Sequence, residues 1–103
     1  MFDKGKKAGL EGVSRSLRKS RVRSEILMYL YNNYPEASYP AEIAKNTGID
    51  FTNILKGLIG TGRFDAANSL LKQGVVEKIE RGDETYYRLS ERGKLLVEGM
   101  QEA

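Results

Sequence analysis

The sequence predicts a mainly α-helical α+β domain that carries one β-hairpin near its C-terminal end. Three observations lead to this. Up to about Gln73, apolar residues recur mostly at three- and four-residue spacing, the period of amphipathic helices. Val75–Leu89 is instead rich in β-branched and aromatic residues, and Arg81-Gly82-Asp83-Glu84 divides it as a turn divides two short strands. Prolines and glycines at Pro35, Pro40, Gly48, Gly60, Gly62 and Gly74 punctuate the chain between these segments.

Length and composition narrow the function before any motif does. A chain of 103 residues has room for one domain, and 40% hydrophobic with 30% charged residues is a globular balance. Cysteine and histidine are both absent, which excludes thiol nucleophiles, Cys/His zinc sites and histidine-based triads. The carboxylates form no recognisable acid–base pair, and Gly60-Thr61-Gly62 lacks the Gly-Lys-Ser/Thr of a nucleotide-binding loop. No calcium-loop pattern is present. An enzyme is therefore not expected, nor a cofactor. Apolar runs such as Ile26–Tyr31 are too short to span a bilayer, and the residues behind Met1 lack a signal peptide's apolar stretch. A cytoplasmic protein without membrane contact is expected.

In chain order, residues 1–13 read as a flexible basic arm and 14–103 as the folded domain. A helix is expected from about Ser14, with Val22, Ile26, Tyr29, Leu30 and Asn33 on one face. Leu27, Met28, Tyr31 and Tyr34 widen its apolar circumference, so it is either central to the core or faces a second subunit. Tyr34-Pro35 ends it. Pro40 suits the first position of a short second helix, and Gly48 suits the residue that turns the chain after it. Asp50 is a candidate N-cap for a third helix. There Phe51, Ile54, Leu55, Leu58 and Ile59 form an expected buried stripe, with Thr52, Asn53, Lys56 and Gly57 on the other face. A fourth helical segment, Phe64–Gln73, is expected to place Phe64, Ala67, Leu70 and Leu71 inward. Strands Val75–Glu80 and Thr85–Leu89 follow. Ser90 then caps a last helix with Leu95, Leu96, Val97 and Met100 along its apolar side.

Two stretches specify more. Glu42–Asp50 is a short helix, a glycine turn and an immediate helix start, the spacing of a helix-turn-helix. Leu71-Lys72-Gln73-Gly74-Val75-Val76 leads into the hairpin and Tyr86-Tyr87-Arg88-Leu89-Ser90-Glu91-Arg92-Gly93 leads out of it. At these residues the sequence resembles the winged-helix transcription regulators of the ArsR, MarR and PadR type, over roughly residues 20–98. The interval from Gly48 to Gly74 is longer than in common members of those families. With Gly60-Thr61-Gly62, the segment Thr47–Leu55 looks like that of a group of archaeal winged-helix regulators. The resemblance implies a winged helix-turn-helix fold and sequence-specific binding of double-stranded DNA.

The residues themselves support a polyanionic partner. Residues 1–23 carry a net charge of +6 and the remaining 80 carry −3. Which segment of 51–73 enters a groove stays open, and the first is favoured because it follows the turn directly. There Asn53 can bond bidentately to adenine, Thr52 can meet a phosphate or a thymine methyl, and Lys56 can reach guanine or phosphate. Arg18, Arg21, Arg23 and Arg63 are candidate backbone contacts, and Arg81 is a candidate contact from the wing. A homodimer is expected from the surplus apolar surface of the first and last helices. The rival readings are a winged helix used for protein–protein contact in a transcription-associated assembly, and binding of double-stranded RNA or tRNA. The sequence names no effector ligand.

Overall fold

The computed structural model describes residues 21–60, 62 and 68–102. Helix α1 (Arg21–Asn32) packs against every other helix described and against the hairpin. Ile26, Leu27 and Leu30 are buried on it, while Val22, Met28, Tyr29 and Tyr31 pack at the edge of the same core. The broad apolar circumference is thus largely used within the chain, because helices and hairpin approach α1 from more than one side.

Helix α2 (Pro40–Thr47) begins with proline at its first turn, after an extended Tyr39. It ends at Gly48, whose φ of 77° is left-handed and whose N–H donates to the Ala44 carbonyl at 2.9 Å. A side chain at that φ would be strained, so glycine sets the tight turn. Helix α3 (Phe51–Leu58) starts only three residues after Gly48, with Asp50 at the N-cap position but making no side-chain cap bond.

The chain returns through Asn68–Gly74 as turns, not as the helix expected there; Phe64 and Ala67 lie outside the described residues. Leu70 and Leu71 donate N–H bonds to the carbonyls of Gly57 and Leu58 at 2.9 and 3.0 Å. These bonds satisfy two carbonyls that the end of α3 leaves open, and they draw the returning chain across the helix terminus. Leu70 is fully buried there.

Strands β1 (Val76–Arg81) and β2 (Glu84–Leu89) pair antiparallel, with Val76 opposite Leu89 and Arg81 opposite Glu84. The tip is the two-residue loop Gly82-Asp83. On the other edge of β2, Ser38 and Tyr87 exchange both backbone hydrogen bonds, at 2.8 and 2.7 Å, tying the α1–α2 connection to the hairpin.

Helix α4 (Glu91–Glu102) is fixed to the hairpin base by Ser90. The Ser90 hydroxyl donates to the Gly74 carbonyl at 2.6 Å and accepts from the Gly93 N–H at 3.0 Å. The Ser90 N–H bonds the Val75 carbonyl at 3.0 Å. One residue therefore caps α4 and joins the entry of the hairpin to its exit. The described elements form a winged helix-turn-helix, with α2 and α3 as the helix pair and β1–β2 as the wing.

Candidate nucleic-acid interface

Helix α3 is positioned by what it buries. Ile54, Gly57 and Leu58 face inward, and the first and last are fully buried. Gly57 lies against α1, contrary to its expected place on the polar face. A β-carbon there would come within 2.8 Å of Ile26 Cδ1, 3.5 Å of Arg23 Cγ and 3.6 Å of Val22 Cγ1. The missing side chain lets the two helices close on each other.

This contact turns the opposite face of α3 outward. Thr52, Asn53 and Lys56 are all exposed, as a base-reading face requires. Phe51 is also turned out. It is 47% exposed, not part of the buried stripe, and Ile59 is 38% exposed. The five apolar positions of α3 span a wider arc than one contact face covers. Ile54 takes the centre of that face, between Gly57 and Leu58, and Phe51 is left at its edge. Leaving half a phenyl ring in water forgoes on the order of 1 kcal/mol.

The start of α1 lies beside the same helix. Val22 and Arg23 approach Gly57 on the inward face of α3, and the basic residues before Arg21 lie outside the described residues. Arg21 is strongly exposed and forms an i,i+4 ion pair with Glu25 at 2.9 Å. Such surface pairs contribute little and exchange readily for another anion. Arg23 is half-buried, with its aliphatic stem along α3, which gives it a packing share as well as a charge. Arg18 and Arg63 lie outside the described residues.

The family model of the EarA-like proteins matches residues 13–100, a span holding all of α1–α3 and the wing and most of α4. This chain belongs to the EarA-like family. It is also 40% identical over 91 residues to uncharacterized protein MJ0905 of Methanocaldococcus jannaschii, covering 87% of this chain and 82% of that protein. The family shown is thus EarA-like, and the likeness to ArsR, MarR and PadR regulators remains one of sequence pattern.

In this EarA-like chain the wing is electrically restrained. Lys78 pairs with Glu80 and Arg88 with Glu77, both at 3.7 Å. Arg81, exposed near the tip, lies over the Tyr86 ring at 5.1 Å from its centroid. The Tyr86 hydroxyl donates to Glu84 at 3.0 Å, and that bond together with the carboxylate charge raises the tyrosine pKa. Tyr86 also meets Tyr39 edge-on at 5.7 Å. Arg81 is therefore steadied at the wing by a ring face while its exposed guanidinium can still donate to an anion.

The structure brings Thr52, Asn53 and Lys56 together on one helix and sets Arg21 and Arg23 at the adjacent start of α1. It places Arg81 separately, on the wing. Among the described residues no group of acidic side chains is arranged to hold a metal ion, and no helix is long and apolar enough to cross a membrane. The outward Phe51 was hidden in the sequence by its helical spacing with Ile54 and Leu58. The available signal was Gly57, which shares that spacing and marks a close helix contact.

Proposed function

We propose that this EarA-like protein is a cytoplasmic transcriptional regulator that binds double-stranded DNA in a sequence-specific way. Helix α3 enters the major groove, Thr52, Asn53 and Lys56 contact base edges and phosphates, and the basic segment holds the flanking backbone. The observation that carries this reading is the outward face of α3, where Thr52, Asn53 and Lys56 are all exposed on the helix that follows the Gly48 turn. The +6 carried by residues 1–23 supplies the backbone-binding charge that positioning requires beside the specificity of that face. Arg81 adds a backbone contact from the wing.

A second copy completes the reading through exposed Leu95 and Tyr34, with Met28 and Met100 half-buried. Leu27 and Leu96 belong to the internal core, so this surface is smaller than the sequence suggests. Two recognition helices about one DNA turn apart would match a palindromic site. The contrary observation is the wing, whose acidic partners and the −3 body favour a protein-contact role. Selection from random duplex DNA decides between them. An enriched, two-fold symmetric sequence is expected. Failure to enrich any sequence, with no retention on duplex at low salt, makes the protein-contact reading the better one.

A further inference from the structure

We infer that Phe51 reads thymine 5-methyl groups, so that the apolar edge of α3 sets base preference alongside its polar side chains. The inference rests on the reading of α3 as the base-contacting helix. Phe51 opens that helix and is 47% exposed, and it shares an i, i+4, i+8 ridge with half-buried Leu55 and with Ile59. Thr52 and Lys56, also i and i+4, form the ridge beside it. The residues at the start of a recognition helix are the ones that approach base edges most closely.

The occupant follows from chemistry. In the major groove only thymine offers an apolar group, its 5-methyl, whereas cytosine and adenine offer amino donors. A phenyl ring against an amino group removes water from a donor and gives no acceptor in return, which is unfavourable. The ring thus favours thymine over cytosine at a pyrimidine position. The +6 carried by residues 1–23 supplies the charge complementarity that favours DNA, not an apolar protein surface, as the occupant.

The test uses the full chain and a duplex enriched from random DNA, made once with thymine and once with uracil in its place. The parent protein should bind the uracil duplex about fourfold more weakly for each methyl contacted, the transfer value of one buried carbon. Phe51→Ala should bind the thymine duplex more weakly and lose about fourfold of the discrimination for each methyl that Phe51 covers, leaving at most that of a Thr52 contact. Phe51→Leu should retain part of the discrimination, and it carries the comparison if Phe51→Ala melts early. Equal sensitivity in parent and Phe51→Ala, or none in the parent, overturns the inference. If Asn53→Ala still loses preference at one base pair, the reading of α3 survives that result. A library that yields no enriched sequence overturns both.

Discussion

Gly93 sits where a β-carbon would press into the Val75 carbonyl oxygen and approach Leu89 Cδ2 at 3.0 Å. The same carbonyl accepts the Ser90 N–H, so the backbone at the base of the wing has no direction in which to yield. Gly93→Ala should therefore lower stability by about 2–3 kcal/mol or more in a denaturant melt. Gly99 is the control, because nothing lies within 4 Å of its β position. Gly99→Ala should be neutral, or stabilising by up to about 1 kcal/mol. Equal melts for the two variants would contradict the close packing at Gly93. On α3, Ile54→Ala should cost about 2–5 kcal/mol, since Ile54 is fully buried. Phe51→Ala should cost about 1 kcal/mol or less, because half its ring already faces water. A larger loss at Phe51 than at Ile54 would mean that Phe51, and not Ile54, points into the core.

At the scale of elements, α1 and α4 are joined by the Tyr31 hydroxyl, which donates to Glu98 at 3.2 Å, and Lys94 pairs with the same carboxylate at 3.7 Å. Burial, then the Glu98 charge and hydrogen bond, raise the Tyr31 pKa above 10.0, with Lys94 opposing. The folded chain therefore holds this proton more tightly than the unfolded chain. Its contribution is fully present below pH 10.0 and is lost as pH climbs through the raised value. Tyr86 and Tyr87 are shifted the same way, so the comparison needs a variant. Stability of the parent should fall more steeply above about pH 10 than that of Tyr31→Phe, measured by denaturant midpoints along an alkaline series. Parallel curves would contradict the α1–α4 link. Much of the element order was legible, because Pro40, Gly48, Gly74 and Ser90 act through local backbone chemistry that sequence displays directly. The Asn68–Gly74 turns were not legible. Leu70 and Leu71 have helical spacing, but their N–H groups bond the end of α3, a tertiary partner that no local pattern reveals. The phase of α3 escaped the sequence for a related reason, since burial at Gly57 depends on Ile26 of another helix.

Across the whole molecule, charge is divided unevenly, +6 on residues 1–23 and −3 on the rest. A body of negative sign opposes approach to DNA, so the proposed affinity must come mainly from the N-terminal cations while α3 supplies discrimination. These two contributions are separable. Asn53→Ala should cost about 1–3 kcal/mol on the preferred duplex and relax preference at one base pair, leaving the salt dependence nearly unchanged. The candidate site was only partly legible: Thr52, Asn53 and Lys56 could be named from the turn that precedes them. The juxtaposition of α1 with α3 could not, because it is set by side-chain volumes at Gly57, Ile26 and Val22. The most direct measurement is the affinity for duplex DNA across a salt series, taken for the full chain and for a chain lacking residues 1–19. That deletion removes six of the eight cations in the basic segment and leaves α1 from its first described residue. The account predicts weaker binding to every duplex, with the salt slope reduced by about 0.9 for each phosphate no longer neutralised. Unchanged affinity and an unchanged slope would contradict it.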